Sequence, residues 1–263
     1  MNWIWKLLSA TPSPTRRSRY ERSCICSRGA SGTHPENTEA ALVEVLRLGV
    51  EGVELDVHLS LDGELVVIHD ATVDRTSNGT GQVRHMRWEE IGQLDAGAWF
   101  DTQFTGERFL RLGEALDILE GDVRLNVHIK AYEHDRAELA TRCVRLLVDR
   151  GLLERAFVAS DQQTLVLARR VNQHLTMCNL SVAPVENYVM RSHAVGCRVL
   201  QPGHAVTTPE LVAAAHEKGM TVNPFYADTE AEMRRLIGCG VDGILTNYPA
   251  LLQDLLTRLP KET

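Results

Sequence analysis

Two carboxylates, Glu54 and Asp56, stand two residues apart in this chain, and a histidine, His69, follows just before Asp70. Acids at that spacing suit a hard divalent cation, which takes oxygen ligands. An imidazole delivered beside them is the side chain best suited to move protons near neutral pH. Asn126, His128 and Lys130 repeat the every-second-residue pattern further along, and Ser27-Arg28 closes the first short apolar run. Arg28 offers a planar fork of donors that matches phosphate oxygens. Ser27 lacks the Gly-x-Ser-x-Gly elbow of a serine nucleophile, so it reads as a hydroxyl that hydrogen-bonds substrate or water.

The elements that must hold these groups are legible from periodicity. Val53, Leu55, Val57 and Leu59 alternate with Glu54, Asp56 and His58. Period two predicts a strand with one apolar and one polar face, because successive side chains leave a pleated backbone on opposite sides. Leu61-Asp62-Gly63-Glu64 reads as a turn with Gly63 at positive φ, and a second apolar run covers 65–68. Further candidate strands lie at 24–26, 123–129, 156–159, 175–179, 198–200, 221–224 and 243–245. Candidate helices lie at 37–48, 136–150, 162–172, 185–193, 209–217, 230–237 and 249–258. Gly49 marks the end of the first helix, and Pro209 and Pro249 mark two helix starts.

Strands that alternate with helices pair in parallel through right-handed crossovers. Eight such units predict an α/β fold, a (β/α)8 TIM barrel, which takes about 250 residues. An open doubly wound sheet is the rival, weakened because no Gly-x-Gly-x-x-Gly follows the first strand. Residues 71–111 break the rhythm and read as a small insertion after strand two, lying over one end of the domain. Barrels gather their chemistry at the C-terminal ends of strands, which is where Ser27, Arg28, Glu54, Asp56, His69, His128 and Lys130 fall.

Size and composition set limits. The 263 residues are 44% apolar and 24% charged, as in ordinary globular proteins. A formal charge of −7 argues against a nucleic-acid partner but not against a phosphate-bearing substrate, since a bound cation reverses the local sign. Cys24, Cys26, Cys143, Cys178, Cys197 and Cys239 show no Cys-x-x-Cys spacing. They read as small core residues of a reducing compartment, so the expected location is cytoplasmic. Residues 1–22 are expected to be a separate N-terminal segment and linker before a domain at 23–263. The apolar stretch with Trp3, Trp5, Leu7 and Leu8 is too short to span a bilayer. It reads as an amphipathic cap, with weak membrane-surface contact as the second reading. Nothing in the sequence speaks to oligomeric state.

Several motifs in order now carry a resemblance. Arg28-Gly29-Ala30-Ser31-Gly32, Pro35-Glu36-Asn37-Thr38, Glu54-Leu55-Asp56-Val57 and His69-Asp70 resemble the glycerophosphodiester phosphodiesterase family. So do Asp74-Arg75-Thr76-Ser77-Asn78-Gly79-Thr80-Gly81, Leu125-Asn126-Val127-His128-Ile129-Lys130 and the late Gly240-Val241-Asp242-Gly243-Ile244-Leu245-Thr246-Asn247-Tyr248-Pro249. The resemblance implies a TIM barrel that hydrolyses a small-molecule phosphodiester to glycerol phosphate and an alcohol. It also implies one divalent cation, Ca2+ or Mg2+, on the acids at Glu54 and Asp56, with His69 as one of two acid/base histidines.

Two positions depart from that pattern. Ser27 stands where the family motif opens with histidine, and His128 stands where it has a third acidic ligand. Losing a general acid or base costs on the order of 10² to 10⁴ in rate. An imidazole at position 128 can still hold a metal, and suits Mn2+ or Zn2+ better than Ca2+ or Mg2+. Substrate contacts are expected from Arg28, Glu36, Lys130 and Phe225, with Tyr226 as a further wall. Glu36 and Asn37 also read as a helix N-terminus with Asn as its cap. His34 is a candidate replacement base, and His58 a candidate extra ligand or a rim residue. The leading expectation is a metal-dependent phosphodiester hydrolase. The alternative is a weakened or inactive barrel that binds a phosphate ester or a protein partner. A third reading, a relative acting on intact lipids, ranks below both.

Overall fold

A computed structural model describes residues 23–259. The expectations placed on residues 1–22, an amphipathic cap with membrane contact and a linker, lie outside the described residues.

Among the described residues, ten strands form one sheet. They are β1 (Ser23–Ser27), β2 (Gly52–Leu59), β3 (Leu65–Val67), β4 (Leu110–Arg111), β5 (Arg124–Ile129), β6 (Ala156–Ser160), β7 (Thr176–Asn179), β8 (Val199–Leu200), β9 (Thr221–Val222) and β10 (Gly243–Thr246). Eight of them run parallel in the order β10-β1-β2-β5-β6-β7-β8-β9. The ends meet: Asp242 N donates to Val222 O at 3.0 Å and Leu245 N to Pro224 O at 2.9 Å. The sheet therefore closes into the expected (β/α)8 barrel, and the open-sheet rival falls away.

The helices are α1 (Glu39–Leu48), α2 (Trp88–Ile91), α3 (Leu112–Ile118), α4 (Arg136–Asp149), α5 (Gln162–Val171), α6 (Tyr188–Ala194), α7 (Pro209–Glu217), α8 (Glu230–Gly238) and α9 (Pro249–Arg258). Except for α2, in the insertion, they supply the layer around the barrel. Outward-facing Val53, Leu55 and Val57 of β2 and Leu125, Val127 and Ile129 of β5 are buried in one cluster with α1, α3 and α4. The alternate residues of the same strands face the interior. There Glu54, Asp56, Asn126 and His128 occupy one side, while Ala159, Cys178 and Val199 form a small apolar cluster on the other.

Local signals place most element ends. Gly49 adopts φ 64° and donates to the carbonyls of Val45 and Leu46, closing α1. Asp161, Thr208 and Thr229 accept from first-turn amides of α5, α7 and α8. Three expectations need correction. α1 begins at Glu39 rather than at residue 37, because Asn37 sits at φ 59° and Thr38 takes the N-cap place. Asn37 is thus not the cap. The 185–193 segment splits into a 3-10 turn and α6, and several late strands are shorter than predicted.

β2 outruns the barrel. Its end pairs antiparallel with β3, Leu59 opposite Leu65, through the Ser60–Glu64 turn in which Gly63 adopts φ 86°. β3 in turn pairs with β4, so the 71–111 insertion leaves and returns along one ribbon. It has its own core of Val66, Ile68, Val73, Val83, Ile91, Ala96 and Phe109. All six cysteines are free, and among the described residues no helix is long and apolar enough to cross a membrane.

Candidate active site

Parallel register builds the centre of the site. Ser27 of β1 lies opposite Glu54 of β2, and Asp56 of β2 lies opposite His128 of β5. Ligating atoms of Glu54, Asp56 and His128 all fall within 4.8 Å of one another. His128 Nδ1 is 2.9 Å from Asp56 Oδ1 and 3.7 Å from Glu54 Oε1. Lys130 Nζ approaches the same Asp56 oxygen to 3.1 Å, and Arg28 Nε stands 3.7 Å from the other. Ser27 Oγ donates to Glu54 Oε2 at 3.4 Å.

Burial makes these charges matter, because a desolvated carboxylate is costly unless compensated. Burial would raise the Asp56 carboxyl, but His128 and the Lys130 charge outweigh it and hold Asp56 ionised. Burial and the charge on Asp56 push Glu54 up, with His128 opposing. Burial disfavours charge on His128, yet the two carboxylates it contacts raise its pKa. The fit to a cation rests on Asp56. Its buried Oδ2 has no hydrogen-bond donor, the nearest charged nitrogen being Arg28 Nε at 3.7 Å, so that oxygen remains open to a ligand, while Oδ1 faces His128 and Lys130. Two carboxylates and an imidazole form a mixed oxygen and nitrogen donor set that could hold a divalent cation.

The β1–α1 loop brings Arg28 over this cluster. Arg28 adopts φ 55° and Gly29 φ 80°, a left-handed pair in which the backbone N–H of Arg28 donates to Glu54 Oε2 at 3.1 Å. A Cβ on Gly29 would stand 2.7 Å from that of Ala41, so the turn needs glycine for room as well as for φ. The Arg28 guanidinium donates to Glu36 Oε2 at 3.1 Å and to the Tyr226 hydroxyl at 2.6 Å. Its side chain is only 14% exposed, so this is not a solvated surface ion pair.

His69 enters from the ribbon beyond β3. Its Nδ1 lies 2.7 Å from Asp70 Oδ1. The Arg75 hydrogen bond outweighs burial, which opposes it, and lowers the Asp70 pKa to about 2. Asp70 is therefore an acceptor at neutral pH, His69 donates from Nδ1, and Nε2 is the nitrogen left for chemistry. His58 is not turned to the cation cluster. Its Nε2 faces the His69 carbonyl at 3.2 Å, and burial lowers its pKa to about 4. A neutral ring facing a carbonyl must donate, so His58 braces the His69 backbone. His34 hydrogen-bonds Thr33 Oγ1 at 2.9 Å and packs its ring 5.2 Å from Phe104, rather than joining the carboxylate pair.

Three residues named in the sequence make contacts that the sequence reading did not assign. Tyr226, expected as a wall, is a hydrogen-bond partner of Arg28, while Phe225 packs beside it at 5.4 Å. Asn126 donates to Gln201 at 3.2 Å across the barrel interior. Arg75 was visible as part of a motif, yet its contacts to Glu36 and Asp70 required the folded insertion. A cavity of about 310 Å³ opens beside His128 and Lys130, walled by Tyr132, Ser160, Leu180 and Ser181.

The chain is similar to known proteins. The model of the glycerophosphoryl diester phosphodiesterase family matches residues 28–251. A glycerophosphodiester phosphodiesterase of Caldanaerobacter subterraneus subsp. tengcongensis is 36% identical over 241 residues, covering 89% of this chain and 97% of that one. Among solved structures, an Oleispira antarctica phosphodiesterase in complex with the product sn-glycerol-3-phosphate superposes with a TM-score of 0.83. It shares 26% identity over 89% of this chain and 96% of its own. An Agrobacterium tumefaciens glycerophosphodiester phosphodiesterase gives a TM-score of 0.79 at 28% identity, over 89% of this chain and 100% of its own.

Proposed function

The chain belongs to the glycerophosphoryl diester phosphodiesterase family, a family of phosphoric diester hydrolases, and from that premise we propose the reaction and the residues that carry it. The reaction is hydrolysis of a glycerophosphodiester to a glycerol phosphate and an alcohol. The observation that carries it is the buried Glu54–Asp56–His128 cluster, with Arg28 and Lys130 both reaching Asp56.

Glu54, Asp56 and His128 would hold the divalent cation. Bound there, it supplies a positive centre that offsets charge developing on the phosphate oxygens. Arg28 and Lys130 bind the phosphate with charge-assisted hydrogen bonds, and Glu36 and Tyr226 keep the Arg28 fork oriented. A water attacks phosphorus, or an internal hydroxyl of the substrate attacks and water then opens the cyclic phosphate. The proton of the attacking oxygen passes to solvent, since Ser27 leaves no second imidazole to take it. Protonated His69 gives its Nε2 proton to the leaving oxygen, and Asp70 on Nδ1 fixes the ring. The cavity beside Tyr132 and Ser160 has room for one arm of the diester, and Phe225 packs against Tyr226 on the Arg28 side.

One observation favours a slow version of this enzyme. Ser27 is fully buried against Glu54 at the position where the family motif carries an imidazole. A hydroxyl there shuttles no proton near pH 7, so turnover runs on one imidazole instead of two.

The test is glycerol phosphate release from a panel of glycerophosphodiesters with Ca2+, Mg2+, Mn2+ or Zn2+, scored against His69→Ala. Metal-dependent release lost in the variant supports the reading. Binding of glycerol phosphate without turnover of any diester points to the silent barrel, and neither turnover nor binding overturns both.

A further inference from the structure

The 71–111 insertion reaches the site through one side chain. Arg75 Nη1 and Nη2 donate to the two oxygens of Glu36 at 2.9 and 2.8 Å. Its Nε and Nη2 donate to Asp70 at 2.7 and 3.1 Å. Each carboxylate then grips a second group: Glu36 Oε2 accepts from Arg28 Nη1, and Asp70 Oδ1 from His69 Nδ1. One guanidinium thus stands behind both the phosphate arginine and the imidazole that faces the leaving group. The Trp99 ring backs it, with the guanidinium carbon 5.9 Å from the ring centroid.

We propose that Arg75 is a positioning residue that sets the spacing between Arg28 and His69, so that the insertion fixes the geometry of phosphate and proton donor together. The inference rests on the hydrolase reading of this site. Its physical basis is the rigid planar fork. Five donors at fixed angles lock two carboxylates relative to one another, which a flexible ammonium cannot do. Groups held this way act through the residues they orient, and their loss typically costs about 10- to 100-fold.

The experiment compares wild type with Arg75→Ala, Arg75→Lys, Asp70→Asn and Glu36→Gln. Arg75→Ala is expected to lower kcat and raise KM together, on the order of tenfold each. Asp70→Asn should move mainly kcat and Glu36→Gln mainly KM, separating the two arms. Arg75→Lys should restore one arm at most. Two readouts need no turnover. Nitrogen-15 NMR of His69 should show the Nδ1–H tautomer in wild type and a mixture in Arg75→Ala, and calorimetry with sn-glycerol 3-phosphate should show weaker binding by that variant. Absence of turnover in wild type overturns the hydrolase reading while the NMR and binding still judge Arg75. If Arg75→Ala folds and keeps the wild-type tautomer and affinity, the proposal fails. If it does not fold, wild-type tautomer and affinity in both Asp70→Asn and Glu36→Gln overturn it equally.

Discussion

Nδ1 of His128 stands 2.9 Å from Oδ1 of Asp56, the same oxygen that Lys130 approaches to 3.1 Å. Two neighbouring strands in register create this pair, and it fixes the donor chemistry of the cluster. With glutamate in place of His128 the donor set becomes all oxygen. His128→Glu is therefore expected to tighten Ca2+ binding by about tenfold or more and to weaken Zn2+ binding. Calorimetric titration of both variants with each ion checks it, and an unchanged order of affinities would remove His128 from the site.

Ser27 faces the Glu54 carboxylate from β1. Ser27→His returns an imidazole to the edge of the cluster, and kcat is expected to rise by a factor within the 10² to 10⁴ scale of a general acid or base. Steady-state rates with a glycerophosphodiester decide the matter. Unchanged kcat in a folded variant would mean that the serine does not limit turnover.

His69 presents its free Nε2 while Nδ1 is engaged by Asp70. His69→Ala should lower kcat by about 10² to 10⁴ and leave KM close to wild type, because the ring acts in the transition state rather than in ground-state binding. A fall confined to KM would reassign His69 to substrate binding.

Stability should respond to His58. Its pKa lies near 4 in the fold against 6.5 for the free side chain, so between these values the unfolded chain binds a proton that the folded chain refuses. Stability is then highest above about pH 6.5 and is lost as pH falls toward 4. His58→Gln keeps a donor for the His69 carbonyl but cannot titrate. Melting curves from pH 7 to 4 should fall less steeply for the variant than for wild type, and parallel curves would count against the assignment.

Gly29 combines φ 80° with a close approach to Ala41. Gly29→Ala is expected to destabilise by about 2 kcal/mol, from left-handed backbone strain and the methyl clash together. In a domain of this size that lowers Tm by about 4–8 °C. Because Arg28 shares the turn, KM should rise as well; a stable variant with unchanged KM would show that the loop yields without moving the arginine.

The sequence by itself determined a parallel α/β sheet and favoured the barrel, because alternation of short apolar strands and capped helices leaves few topologies that bury both layers. Closure between β9 and β10 decided against the open sheet. It also placed Glu54, Asp56 and His128 at one end, since period two fixes the face on which each side chain emerges. Tertiary structure alone decided which of the remaining polar groups meet. Arg75 comes to lie between Glu36 and Asp70, and Tyr226 beside Arg28, only once the insertion packs and the barrel closes. His58 shares a strand face with Glu54 and Asp56, yet the hairpin beyond β2 engages it with the His69 carbonyl instead. Strand periodicity is a local property of the backbone and can be read along the chain. Contacts between segments distant in sequence depend on closure and packing, which the order of residues does not display.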